Sequence, residues 1–307
     1  MNALDTIGDT PIVELRRVVE PGMARILVKI EGANPTGSKK DRMAREAILT
    51  AERDGRLKPG QPVVEYTGGS TGSSLAFVCA ATGHPIFIVS SDAFSREKLD
   101  HMAALGAKME VVKSDNGKLN EALFRAMIKR ASEIAIEKGA FWTDQLNNID
   151  AARGYHSLGH ELWVQSGGGV DAYVESVGTA HSITGVSRVL REKNTKVQIT
   201  AVEPEESPVL SQGKSGAHRI EGIGIGFVPP MWDPTVVDGF DTVSSSDAMA
   251  MARRLAKEEG IFAGTSSGAN VVAALRIAER LGTGKTVTTI SVDHGMKYLS
   301  TELYREN

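Results

Sequence analysis

Short apolar runs rich in β-branched residues alternate with longer amphipathic stretches along most of this chain. The short runs are typical of strands, and the longer ones have the 3.6-residue repeat of helices. Because parallel strands need a long crossover between them, the alternation predicts an α/β fold with mainly parallel, helix-flanked sheets. We expect strands at residues 26–30, 63–65, 86–90, 109–112, 172–175, 198–202 and 286–291, and helices at residues 39–53, 70–82, 95–105, 118–138, 151–165, 183–192, 246–259 and 267–281.

One segment interrupts this alternation. Residues 207–241 are rich in Gly and Pro and contain no strand or helix pattern. We expect a long ordered loop there, and loops of this length in compact domains are usually functional.

The composition excludes several classes of partner. The 307 residues, 41% of them hydrophobic, suffice for one large or two modest domains. A net charge of −3 with interspersed acids and bases gives no electrostatic basis for binding nucleic acid or an anionic membrane. No apolar run approaches membrane-spanning length, and the first residues lack the features of a signal peptide. We therefore expect a cytoplasmic protein.

Several features have a structural interpretation. Cys79, the only cysteine, lies in an apolar helical run and is interpreted as a buried structural thiol. His156 and His160 have helical spacing, but no third metal ligand accompanies them, so surface or interface histidines are the better interpretation. Residues 282–286 resemble the end of a nucleotide-binding loop, but they precede a strand where such a loop precedes a helix. The Gly-Ile repeat at residues 222–226 resembles a dinucleotide-binding motif but does not follow a strand. We therefore expect no nucleotide site at either segment.

Three glycine-rich loops lie where predicted strands end and helices begin, which is where open parallel sheets bind ligands. Residues 67–72 and 178–182 combine small residues with hydroxyls at a helix start, and residues 264–269 do the same. Backbone amides at a helix N-terminus bind anions, so the first loop suits a carboxylate and the second a phosphate. Each loop alone is a weak signal, since small residues also allow close packing of strand and helix.

A pair of lysines follows the turn at residues 34–37. Ser38 suits the N-cap of the following helix, and Asp41 lies where the helix dipole favours negative charge. Lys39 and Lys40 therefore fall in a first turn that disfavours cations, and a destabilised ammonium loses its proton more easily. Such a lysine could form an imine with a carbonyl cofactor. The alternative is a solvated basic pair at a helix start, and this segment alone does not distinguish the two interpretations.

Several ordered motifs together resemble one known family. The chain resembles the cysteine synthase (O-acetylserine sulfhydrylase) and cystathionine β-synthase group of fold type II pyridoxal-phosphate enzymes, which is also the fold of the tryptophan synthase β subunit. The resemblance covers nearly the whole length and is carried by residues 7–15, 34–42, 65–72, 178–185, 222–229, 259–269 and 295–301.

The resemblance implies a cofactor, pyridoxal 5'-phosphate, and a set of site residues. Lys40 would form the imine with the cofactor and act as the general base at Cα of the substrate. Loss of a group from Cβ would give an aminoacrylate, which accepts a nucleophile or hydrolyses. The phosphate would be bound by Gly178, Thr179, Ala180, His181 and Ser182. The substrate carboxylate would be bound by Thr67, Gly68, Ser70, Thr71 and Gln145, with Ser70 also beside the cofactor ring.

Two loops depart from the family pattern. The carboxylate loop has Gly68 in place of the usual serine and Ser70 in place of the usual asparagine, which normally meets the ring hydroxyl. In the phosphate loop, Ala180 and His181 replace glycines. His181 either adds charge beside the phosphate or points into solvent, and the sequence alone does not distinguish these alternatives.

The largest departure is near the C-terminus. Alignment puts Asp293 where the family has a serine facing the pyridine nitrogen. A carboxylate there would favour the protonated ring and a stronger electron sink. The alternative is an alignment slip that leaves Ser291 as the ring partner.

We therefore predict β-elimination or β-replacement on a small amino acid, with O-acetylserine, O-phosphoserine, serine or cysteine as the donor. The alternatives are an ammonia-lyase, a cyclising deaminase or another enzyme of diamino acids that uses Asp293, and, more remotely, a non-catalytic scaffold that binds the cofactor. The resemblance also implies a homodimer with a smaller mobile domain at residues 34–145 and a larger cofactor-binding domain of residues 1–33 plus 146–307.

Overall fold

The computed structural model describes residues 2–117 and 121–305. The chain divides into two compact units, each with its own mainly or fully parallel sheet. The first unit comprises Met1–Ile7, Asn34–Gly154 and Lys297–Asn307, and the second comprises Gly8–Ala33 and Tyr155–Met296.

The first unit is built on a four-stranded, fully parallel sheet in the order β5-β4-β3-β6. Apolar runs rich in Val and Ile form its central strands, which are buried. The strands are β3 (Val63–Tyr66), β4 (Ile86–Ser91), β5 (Lys108–Val112) and β6 (Phe141–Trp142), and the helices are α1 (Lys40–Arg53), α2 (Ser70–Thr82), α3 (Arg96–Ala104), α4 (Glu121–Lys138) and α5 (Ile149–Arg153).

The second unit contains a six-stranded sheet in the order β1-β2-β10-β7-β8-β9, in which only the β1–β2 pair is antiparallel. Its strands are β1 (Ile12–Glu14), β2 (Arg25–Ile30), β7 (Ala172–Ser176), β8 (Gln198–Pro204), β9 (Gly239–Val243) and β10 (Thr286–Ser291). The helices are α6 (His156–Gln165), α7 (His181–Lys193), α8 (Val209–Gln212), α9 (Ser245–Arg254) and α10 (Thr265–Leu281). None of the described helices is long and apolar enough to cross a membrane.

The predicted α/β architecture is confirmed, and each of the seven expected strands is present. Strands β1, β6 and β9 were not predicted. The first two are only three and two residues long, so they carry too little pattern to stand out. The prediction of one continuous loop at residues 207–241 is wrong in part, because it contains α8 and the first residues of β9. Strand β9 was not predicted because Gly239 and Asp241 have low β-propensity. The strand forms because its residues pair with β8.

The predicted helix at residues 151–165 is two helices that are separated at Gly154 and Tyr155. A Cβ at Gly154 would lie 2.6 Å from the carbonyl oxygen of Arg42 in α1, so glycine permits a close approach there. The other predicted helices are present, with ends shifted by a few residues; residues 118–120 of one lie outside the described residues.

The two units differ from the predicted domain boundaries. Residues 1–7, 146–154 and 297–307 belong to the same unit as residues 34–145, whereas the sequence grouped them with the larger domain. The roles assigned to the two domains, one mobile and one cofactor-binding, stay predictions.

A buried carboxylate joins two strand ends in the first unit. Glu65, in β3, is fully buried. Its Oε2 accepts hydrogen bonds from Thr143 Oγ1 (2.7 Å) and the Gln145 amide (2.9 Å), and its Oε1 accepts from the Tyr66 amide (2.9 Å) and Trp142 Nε1 (3.3 Å). Burial raises the pKa of Glu65 to about 7, although these four donors favour the carboxylate.

This raised pKa predicts a pH-dependent stability. The folded protein holds the Glu65 proton more tightly than the unfolded chain, so the free energy of unfolding should fall as the pH rises from 4.5 towards about 7. Glu65→Gln should remove this part of the slope in urea unfolding curves at successive pH values. Thr143→Val removes a donor and should move the slope to higher pH. Parallel curves for the wild type and Glu65→Gln would contradict the assignment.

Helix α7 begins in an unusual backbone conformation. Its N-cap, Ala180, has a φ of 68°, in the left-handed region that favours glycine. An L-residue costs about 1–2 kcal/mol there. The strain lies in the loop predicted to bind phosphate.

Ala180→Gly should therefore raise the free energy of unfolding by up to about 1 kcal/mol, because relief of strain exceeds the added entropy of the unfolded chain. Ala103→Gly, at an exposed site in α3, is the matched control and should lower stability by about 0.5–1 kcal/mol. Equal losses in the two variants, measured by urea unfolding, would show that Ala180 is not strained.

Candidate functional site

The lysine segment is fixed by hydrogen bonds on both sides of Lys40, the first residue of α1. The Gly37 amide donates to the Asn34 carbonyl (2.7 Å), which closes the predicted turn. Ser38 Oγ accepts from the Lys40 amide (3.2 Å), as expected for a hydroxyl at this helix start. The N-cap of α1 is Lys39, however, and not the predicted Ser38, because the helical backbone begins one residue later than expected. Lys39 is buried, at 5% exposure, and Lys40 is partly exposed.

Asp41 ties this segment to helix α2. Thr36 donates to the carboxylate of Asp41 through its amide (2.8 Å) and its Oγ1 (2.5 Å), and Thr36 Oγ1 lies 3.3 Å from Ser74 Oγ in α2. Burial raises the pKa of Asp41, while hydrogen bonds from Ser74 and Thr36 and the charge of Lys297 oppose the rise. The start of α1 is thereby held against the helix that follows the predicted carboxylate loop.

The predicted carboxylate loop joins β3 to α2. Thr67 and Thr71 are buried, and Thr67 Oγ1 accepts a hydrogen bond from the Gly69 amide (3.1 Å). Gly69 is the N-cap of α2, and no side chain in the described residues caps this helix start. A helix start without a side-chain cap can bind a carboxylate through its backbone amides.

A lysine near the C-terminus meets this loop. Lys297, at 5% exposure, donates from Nζ to Ser70 Oγ (3.1 Å), and its carbonyl accepts from Ser95 Oγ (3.3 Å). The pKa of His101 in α3 is lowered by burial and further by the charge of Lys297. Positive charge therefore lies beside the residue that replaces the family asparagine.

Gln145 lies at the end of the neighbouring strand β6. Its amide donates to Glu65, and its Nε2 donates to the Tyr66 carbonyl (2.7 Å). These bonds hold Gln145 beside the strand that leads into the carboxylate loop. Its contact with substrate stays a prediction.

The predicted phosphate loop joins β7 to α7 in the second unit. No side chain among the described residues caps the start of α7, and the buried hydroxyls of Ser182 and Thr184 have no hydrogen-bond partner there. Buried hydroxyls are normally satisfied, so these two fit a ligand with several acceptor oxygens. A Cβ at Gly178 would lie 2.6 Å from the Gly222 carbonyl, which leaves room only for glycine.

His181 does not point into solvent. It is 1% exposed, and its Nδ1 lies 2.9 Å from Thr179 Oγ1. Of the two alternatives drawn from the sequence, solvent exposure is therefore wrong.

The Gly-Ile repeat packs onto this loop. The Gly224 amide donates to the Val177 carbonyl (3.1 Å), immediately before Gly178. Gly222, Gly224 and Gly226 all have positive φ, which explains the alternating glycines without a nucleotide.

Asp293 follows β10, which is next to β7 in the sheet. It is 4% exposed, and the preceding Val292 amide donates to Ser267 Oγ (2.9 Å) in α10. Asn270 of α10 accepts from the Ser176 amide (2.7 Å) and donates to the Ile290 carbonyl (2.9 Å). The ends of β7 and β10, and with them the phosphate loop and Asp293, are thus joined by one buried amide.

The predicted residues fall in both units. Lys40, the carboxylate loop and Gln145 lie in the first unit, and the phosphate loop and Asp293 lie in the second. Three supporting residues were not predicted from the sequence: Glu65, Asn270 and Lys297. Asn270 directly follows the third glycine-rich loop, and a polar residue within an apolar helix was the signal available.

Cys79 is buried, and burial raises the pKa of its thiol to about 12. The structural interpretation of this cysteine is confirmed. The described residues contain no group of three or more His, Cys, Asp or Glu side chains that could hold a metal ion.

Comparisons with known proteins extend this picture. The family model for "Pyridoxal-phosphate dependent enzyme" matches residues 3–293. A cysteine synthase of Staphylococcus aureus (strain Mu50 / ATCC 700699) is 43% identical over 306 residues, which cover 99% of this chain and 96% of that protein.

Solved structures agree. A cysteine synthase from Entamoeba histolytica superposes with a TM-score of 0.93 at 38% identity, covering 100% of this chain and 91% of the other. An O-ureido-L-serine synthase gives 0.92 at 38% identity (99% and 94% covered), and a hydrogen sulfide-producing enzyme from Fusobacterium nucleatum gives 0.90 at 31% identity (97% and 99% covered). The chain therefore belongs to the family of pyridoxal-phosphate dependent enzymes, among the relatives of cysteine synthase.

Proposed function

We propose that this enzyme removes a leaving group from Cβ of a small amino acid and replaces it with a nucleophile, as cysteine synthases do. The observation that carries this proposal is the link between Lys40 and the carboxylate loop. Asp41, Thr36 and Ser74 join the start of α1 to α2, so Lys40 and the start of α2 are held within one unit. This supports their proposed roles as the reactive amine and the carboxylate site. The relatives' names support the same reaction class.

The residues present fit pyridoxal phosphate. The start of α7, with Gly178, Thr179, Ala180, His181 and Ser182, would bind the phosphate, and the Lys40 amine would attach the cofactor covalently. The two buried hydroxyls and the helix start, none of which has a side-chain partner among the described residues, support this assignment. When bound, the cofactor withdraws electrons from Cα of the amino acid and so weakens the bonds to the Cα proton and to a leaving group at Cβ.

The chain's own residues have two tasks. Thr67, Gly68, Ser70, Thr71 and Gln145 would bind the substrate carboxylate and orient Cα. Lys297 would strengthen that binding, because its ammonium contacts Ser70. The Lys40 amine would then remove the proton from Cα.

Asp293 would hold a proton at the pyridine nitrogen of the cofactor. Its burial and its fixed place at the end of β10 support this role. The homodimer and the cytoplasmic location stay predictions.

A screen of donors tests the proposed reaction. O-acetylserine, O-phosphoserine, serine and cysteine are each incubated with the holoenzyme, with and without sulfide, and the products are identified by mass spectrometry. Turnover of at least one donor is expected, and Lys40→Ala should reduce it by at least about 10²-fold, since a general base contributes that much or more. Lys39→Ala is the neighbouring control and should stay active. Failure of every donor, or an active Lys40→Ala, would refute the proposal.

The role of Asp293 has a spectroscopic test. Asp293→Ser should shift the absorption of the bound cofactor and its pH dependence, because the ring nitrogen loses the carboxylate that favours its protonated form. Ser291→Ala is the control for the alternative alignment and should leave the spectrum unchanged. A shift in the Ser291 variant alone would assign the ring contact to Ser291.

A further inference from the structure

The glycine at position 68 has a specific neighbour. Its φ lies outside the left-handed region, so the backbone itself would accept an L-residue. A Cβ built on Gly68 would nevertheless overlap the ring atoms Cε1, Cζ and Cδ1 of Phe94. The aromatic ring thus occupies the space that a side chain at position 68 would need.

Phe94 is held in place from several directions. It follows β4, the strand next to β3, and its amide donates to the Ser91 carbonyl (3.3 Å). The ring is partly buried and packs against a cluster that includes Val64, Tyr66 and Val89. Movement away from Gly68 would therefore disturb packing around both strands.

Two residues of α3 continue this contact along the carboxylate loop. A Cβ on Gly69 would lie 4.0 Å from Lys98 Cδ, which is ordinary contact, whereas a Cβ on Gly72 would overlap Met102 Sδ. Phe94, Lys98 and Met102 are four residues apart, which places Lys98 and Met102 on one face of α3. Phe94, Lys98 and Met102 therefore contact the loop at Gly68, Gly69 and Gly72 in turn.

We propose that Phe94 is a positioning residue of the amino-acid site. Its ring takes the place of the hydroxyl-bearing side chain usual at position 68 and holds the backbone amides of the loop in the geometry that receives a carboxylate. The ring also covers that side of the loop with apolar surface, which strengthens hydrogen bonds to a charged group. This inference rests on the proposed function of the loop.

A double-mutant cycle tests the pairing. Gly68→Ser, Phe94→Ala and the double variant are prepared as holoenzymes. Binding of L-alanine, which has the carboxylate but no leaving group, is measured from the absorption of the bound cofactor. Melting temperatures are recorded in parallel.

Gly68→Ser should raise the dissociation constant about 10-fold or more and lower the melting temperature, since the added side chain displaces the ring. Phe94→Ala should raise it less. In the Phe94→Ala background, Gly68→Ser should have little further effect, because the ring that it displaces is gone. Gly69→Ser is the matched control, and its effect should be the same with and without Phe94.

Additive effects of Gly68→Ser and Phe94→Ala, or an unaltered Gly68→Ser variant, would overturn the proposal. If Gly68→Ser does not fold, Gly68→Ala adds only the Cβ and gives the same test. Wild-type protein that fails to bind L-alanine would count against the proposed function itself, and so is distinguishable from a failed pairing.

Discussion

The structure depends on one constraint: where parallel strands end and helices begin, backbone N–H and C=O groups are left without partners in the sheet or helix, and they must bond side chains, water or a ligand. In each of the two sheets, a buried polar side chain joins two neighbouring strand ends. Glu65 joins the ends of β3 and β6, and Asn270 joins the ends of β7 and β10. The helix starts at Gly69 and Ala180 have no side-chain cap among the described residues, which fits them for anions.

These cross-links carry an electrostatic cost. Burial raises the pKa of Glu65 to about 7, and it also raises the pKa of Asp41. Both accept several hydrogen bonds, which compensate the lost hydration. Within the first unit, these two carboxylates hold the start of α1 and the strand end that precedes the carboxylate loop.

The features that could be predicted from the sequence are the repeated strand–helix units and the local turn and helix-start motifs. The alternation of strands and helices was enough to predict the fold. The turn at residues 34–37, the hydroxyl of Ser38 and the carboxylate of Asp41 were enough to place Lys40 at a helix start, although the N-cap is Lys39. Short strands such as β6 and β9 could not be predicted, because their β character comes from pairing with neighbours. The buried state of His181 and the left-handed φ of Ala180 depend on how the loop closes, which local propensity does not specify.

Contacts between residues that are distant in the sequence could not be predicted either. Gly68 was recognised as a departure, but its reason lies in Phe94, which is brought beside it by the pairing of β3 with β4. Lys297 meets Ser70 across 227 residues of sequence. Such contacts can be identified only when the three-dimensional arrangement of the strands and helices is known.

The central claim is that Lys40 carries the cofactor. Borohydride reduction of the holoenzyme fixes the bond between the cofactor and its lysine, and proteolysis followed by fragment mass spectrometry identifies the modified residue. The cofactor mass is expected on Lys40 and not on Lys39. A modified Lys39, a modified lysine elsewhere, or a protein that retains no cofactor after reduction would contradict the account.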